Sequence, residues 1–122
     1  MSANRYWIKF GAALGFVAVA MGAFGAHALK DHLIIHEHTD VYQTASKYAL
    51  VHAVLIVTLA IVPTITIPRS IFMFLVVGIC IFSGTLWCLT IFQIKWLGAV
   101  TPIGGLCLLF GWARLGWFGL RL

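Results

Sequence analysis

The chain has 122 residues, of which 62% are hydrophobic and 9% charged, against about a quarter charged in ordinary soluble domains. So few polar side chains cannot cover the surface that a globule of this size exposes, which excludes a water-soluble fold and makes lipid the solvent. The net charge of +5 rests on eight singly spaced basic residues, Arg5, Lys9, Lys30, Lys47, Arg69, Lys95, Arg114 and Arg121, a spacing that marks the ends of membrane spans and excludes nucleic acid as a partner.

In chain order, the first apolar run predicts a transmembrane helix over residues 6–26, long enough to cross about 30 Å of hydrocarbon at about 1.5 Å per residue. Tyr6 and Trp7 open it as an interfacial belt. Gly11, Gly15, Ala18, Gly22 and Gly25 recur three or four residues apart, which lines one face with small residues that let another helix approach. Arg5 and Lys9 ahead of this run, with Ala26-His27-Ala28 after it, imitate a cleaved signal peptide. The apolar stretch over 10–26 is long for that, and a retained span is expected.

Residues 29–43 turn polar and carry every acidic side chain, Asp31, Glu37 and Asp40, together with His32, His36 and His38. Leu29, Leu33, Ile34 and Val41 keep one side apolar, which predicts a loop with a short helix lying on the membrane surface. A second span is expected over 45–62, ended by a tight connection between Pro63 and Pro68 that is not helical throughout. Arg69 stands at the interface before a third span over 71–92, which holds Ser83 and Gly84 near its middle. Lys95 and Trp96 mark the next interface, and a fourth span over 97–117 contains Gly104, Gly105 and Gly111. Thr101-Pro102 fits either the start of that helix or a kink one turn inside it. The expected fold is all-α: an integral membrane bundle of four transmembrane helices in one domain, with a short interfacial segment between the first two.

An even number of spans puts both termini on one side. Arg5, Lys9, Arg69, Arg114 and Arg121 gather there, against Lys30, Lys47 and Lys95 on the other, which favours cytoplasmic termini. Cys80, Cys88 and Cys107 lie in apolar runs without CxxC spacing and read as small buried hydrophobes.

Chemistry, if any, rests on few residues. His27 and His52 lie towards the loop ends of the first two spans, with Lys30 one turn beyond the first and Tyr48 one turn before the second. If those helices pack as a hairpin, the four groups approach one another. They then form either a hydrogen-bonded clasp or a site for a lipid headgroup, a quinone or a proton. Ser83, beside Gly84 and Thr85, reads as a close-contact patch, since neither a GxSxG elbow nor a Ser-His-Asp set accompanies it. His32, His36 and His38 form HxxxHxH, which could hold a transition metal but lacks the spacing of a structural zinc class. No catalytic set is present, so the chain is not expected to be an enzyme, and no cofactor is expected.

The stretches GAFGAHALK (22–30), Tyr42 with Thr44-Ala45, Tyr48 with His52, FSGTL (82–86), TPIGG (101–105) and Gly111-Trp112 touch every span. In this order they resemble the YgdD/YwdK family of small multi-span membrane proteins, which has no assigned function. The resemblance implies a bacterial inner (plasma) membrane protein with His27, Lys30, His52 and the glycines among its characteristic positions, and no reaction. Two departures stand out: Trp87 replaces the tyrosine that usually follows the SGSL-like run, and the loop is unusually rich in histidine. The leading expectation is a non-enzymatic protein that supports membrane integrity or organises lipid and protein partners. It would assemble as a homo-oligomer through its small-residue faces, with room for an unidentified membrane-protein partner. Binding or transport of a lipid, quinone or proton at the His/Lys/Tyr cluster and metal handling by the loop are the alternatives.

Overall fold

The computed structural model describes residues 3–122, which are helical throughout with short connections and no strand among them. A 3-10 turn, Ala3–Trp7, leads into α1 (Ile8–Ala26); the short α2 (Lys30–Ile35) follows, then α3 (Thr39–Ile61), α4 (Arg69–Phe92) and α5 (Leu97–Leu120). α3, α4 and α5, and the continuous stretch Asn4–Ala26 formed by the N-terminal turn and α1, are 23 or 24 residues long and predominantly apolar, about 35 Å each and enough to cross a bilayer. The chain is an integral membrane protein. α2 is the expected interfacial piece: Leu33 is buried while Ile34 and Ile35 point outward.

The four long helices pack in chain order. α1 lies on α3, α3 on α4, and α4 on α5, without a substantial α1–α5 interface among the described residues. Of the most apolar window in each helix, 39% is buried in α3 and in α4, but only 11% in α1 and 17% in α5. The bundle is thus an antiparallel row with two central and two flanking helices. Cys80 and Cys88 face outward and Cys107 is only partly covered, not buried as the apolar runs around them suggest.

Small side chains set the spacing. Ala45, Ala49, Ala53 and Ala60 line the buried side of α3 at helical intervals and let it sit between two neighbours. The α4–α5 seam is tighter, because a Cβ on Gly104 would lie 2.5 Å from the Phe82 backbone nitrogen and 2.8 Å from the Gly78 carbonyl oxygen. A Cβ on Gly78 would likewise meet the Leu108 backbone nitrogen at 2.8 Å, so these two backbones touch. Gly111 abuts Leu75, Gly11 abuts Val57 and Ile56, and Gly25 abuts the Tyr42 ring. Gly15 and Gly105 would place a Cβ at ordinary contact distance, 3.6 and 3.9 Å from the nearest atom. The expectation that Gly22 and Gly84 serve helix packing needs correction, since a Cβ at either meets nothing within 4 Å in this chain. Three- and four-residue spacing finds a face; which residues of that face are covered depends on where the neighbour crosses.

Helix boundaries differ from expectation chiefly at α3, which starts at Thr39 instead of near residue 45. Its polar first turns are held by tertiary contact: Tyr42 is 1% exposed against Gly25, and its hydroxyl donates to the Met21 carbonyl of α1. α5 begins at Leu97, which puts Pro102 one turn inside the helix. At the end carrying the termini, the buried Asn4 amide donates to the Ile65 carbonyl at 2.7 Å, and the Ile67 amide donates to Asn4 Oδ1 at 3.1 Å. Trp7 stacks on Phe72 of α4, with centroids 5.1 Å apart. The N-terminal turn thereby pins the connection between α3 and α4.

Candidate functional site

The groups expected to meet at the loop end of α1 and α3 do not form one site. Gly11 lies against Val57 and Gly15 against Ala53, so the antiparallel register puts His52 level with Phe16. His27 is then displaced by eleven residues, roughly 16 Å along the axis. The expectation failed because α3 extends six residues further towards the loop than hydropathy suggests, which moves His52 to mid-helix. His27 and Lys30 are exposed at the surface end. Tyr48 and His52 remain together, one turn apart on α3 with their rings parallel at 6.3 Å.

Their third neighbour is Trp112 of α5. His52 is 4% exposed, and a polar ring at that depth must find partners. Its Nδ1 donates to the Tyr48 carbonyl at 2.7 Å, and its Nε2 accepts from the Trp112 indole N–H at 3.1 Å. This pairing requires the neutral ring with its proton on Nδ1, because Nε2 must offer a lone pair to a donor-only indole. Both nitrogens are occupied, which leaves neither to act as a base. The sequence contained a pointer to Trp112 in the Gly111-Trp112 pair, but nothing in linear spacing connects positions 52 and 112.

Around the pair, α3, α4 and α5 enclose a lateral groove of about 580 Å³. Phe82 of α4 forms its floor, with Tyr48 packed on it at 5.3 Å. Pro102, Gly105 and Leu109 of α5 also line it, with His52 and Trp112 towards one end. The groove opens on the flank of the bundle, where lipid lies. Pro102 and Gly105 matter to its shape: neither projects a long side chain, so α5 leaves space over Phe82.

Other polar residues are tied into helix seams. Ser83 Oγ donates to the Ala45 carbonyl at 2.7 Å, and Trp87 Nε1 donates to Ser46 Oγ at 3.1 Å, two links from α4 to α3. Thr85 and Thr101 place their hydroxyl oxygens 2.7 Å apart across the α4–α5 seam.

The loop histidines also have structural employment. His32 Nε2 lies 2.9 Å from both the Ile91 carbonyl oxygen and the Gln93 side-chain nitrogen, and His38 Nδ1 lies 3.5 Å from the Thr90 carbonyl oxygen. They meet carbonyls that the end of α4 cannot satisfy internally. The chain leaves α4 through Gln93 in the left-handed conformation, φ 55°. His32 and His36 are in edge contact at 4.7 Å, with His38 6.4 Å further on. Among the described residues no group of three or more His, Cys, Asp or Glu is placed to hold a metal ion. The metal reading of His32, His36 and His38 is corrected accordingly: two of the rings turn to backbone carbonyls instead of a common centre.

Comparison with known proteins adds a family and no chemistry. The family described as "Protein of unknown function (DUF423)" matches residues 21–105. The chain is similar to the UPF0382 inner membrane protein YgdD of Escherichia coli (strain K12), 35% identical over 122 residues that cover 98% of this chain and 92% of the relative. A UPF0382 membrane protein of Staphylococcus epidermidis is 34% identical over 113 residues, covering 91% of this chain and 92% of its own. No solved structure matches.

Proposed function

The chain belongs to the DUF423 family of membrane proteins of unknown function, and from that premise we propose that it is a non-enzymatic lipid-organising protein that holds an apolar chain in the α3–α4–α5 groove. One observation carries the reading: a groove of about 580 Å³ opens on the lipid-facing flank and is walled by Tyr48, Phe82, Leu109 and Trp112. Ligand pockets of this size are mostly apolar, with few polar groups, and an acyl or isoprenoid chain matches that lining. The polar end of the groove supports a structural role for His52, because Tyr48 and Trp112 already occupy its nitrogens. Proton or quinone chemistry at a joint His27, Lys30, Tyr48 and His52 site is not carried forward, since the register separates the two pairs.

The test is a phospholipid with a mid-chain diazirine on its palmitoyl group, photolysed in membranes containing the protein. Labelling is expected to concentrate on groove residues and to disappear there in Gly105→Trp, which fills the space over Phe82. Even labelling over all lipid-facing helices would overturn the reading.

We also propose that copies associate through the outer faces of the flanking helices, which the chain itself leaves least covered. Native mass spectrometry in mild detergent that finds monomers alone would count against this. Cytoplasmic termini are proposed from the excess of cations at that end.

A further inference from the structure

We infer that Arg69 holds the headgroup of an anionic phospholipid whose acyl chain lies along α4, at a site separate from the His52 groove and nearer the end that carries the termini. Two cavities share this one residue. The first, about 540 Å³, is partly polar and is framed by Asn4, Tyr6 and Thr66 beside Arg69. The second, about 450 Å³, is apolar and runs from Arg69 past Met73 and Val77 to Cys107 of α5. A partly polar chamber that meets an apolar trough at a cation has the amphipathic order of a phospholipid: anion at the interface, chain below it.

Charge complementarity selects the headgroup. Arg69 is exposed at the start of α4, and Arg5 lies on the same side. All three acidic side chains, Asp31, Glu37 and Asp40, belong to the opposite end, between the start of α2 and the first turn of α3. The guanidinium therefore has no acidic side chain at its own end, and a phosphodiester accepts from its planar fork in two places. The chamber is built and not incidental. Asn4 bonds both Ile65 and Ile67 of the connection, and Trp7 stacks on Phe72, which fixes the turn that forms its wall.

The experiment is native mass spectrometry of the full chain in detergent, supplied with phosphatidylglycerol and phosphatidylcholine of identical acyl chains. The protein is expected to retain phosphatidylglycerol about fivefold better, the scale of one basic side chain near an anionic lipid surface. Arg69→Gln should bring the two lipids to parity, while Arg69→Lys keeps a preference. Val77→Trp, a change at a lipid-facing residue that fills the trough without touching the cation, should also lower retained phosphatidylglycerol. Gly105→Trp, in the other groove, should leave the preference intact, so the two sites fail independently. Equal retention of both lipids by the unaltered chain would overturn the inference. So would a preference that survives Arg69→Gln, since the charge would then act diffusely through the other cations, or full retention by Val77→Trp.

Discussion

His52 and Trp112 illustrate how a buried polar residue in a membrane protein is made tolerable. The imidazole lies about 20 Å along α3 from its start, buried within the spanning helix, and each of its nitrogens has a single hydrogen-bond partner. Hydrogen bonds between membrane helices contribute about 0.6 kcal/mol on average and up to about 1.7, and leaving one partner unpaired adds a desolvation cost. His52→Ala is expected to lower stability by about 1–2 kcal/mol, as read by unfolding in mixed detergent micelles, because Trp112 loses its acceptor. Trp112→Phe should cost a comparable amount by orphaning Nε2. The double variant is expected to cost less than the sum of the singles, since the second change removes a group already unpaired. Strict additivity would mean that the pair is not coupled.

Among the elements, the α4–α5 seam is the most sensitive to added volume. At Gly104 a methyl group would press on the backbone of Phe82 and Gly78, and neither can rotate away as a side chain could. Gly104→Ala should therefore force the helices apart and destabilise by about 1–3 kcal/mol, the usual scale of overpacking. Gly84→Ala is the matched control within the same seam region: its Cβ enters open space, and the better helix propensity of alanine, worth up to about 1 kcal/mol, should leave stability equal or higher. Thermal unfolding of the two variants side by side in one detergent checks the contrast. A common loss at both positions would mean that Gly84 is covered by something outside this chain.

On the scale of the whole molecule, an antiparallel row of four spanning helices brings both ends of the chain to one face together with Arg5, Arg69 and Arg121, while Lys30 and every acidic side chain lie at the other. Positive charge near span ends is retained on the cytoplasmic side. A fluorescent reporter that matures only in the cytoplasm is expected to glow when fused after Leu122 and to stay dark when inserted between α2 and α3. The reverse pattern would refute the orientation.

Composition and hydropathy by themselves determined the solvent, the helical class, the number of spans and the interfacial piece, because lipid forces every backbone polar group into local hydrogen bonds. Glycine and alanine spacing also marked faces able to pack. Only the tertiary structure decided which of those faces are used: Gly104 is in backbone contact and Gly84 is open, though both sit in similar small-residue stretches. It also decided that His52 pairs with Trp112 and not with His27, since a helix register is set by the summed packing of Gly11, Gly15 and Gly25 against α3. Neither groove was legible in the sequence, because a concavity is a property of three helices at once, whereas periodicity describes one helix at a time.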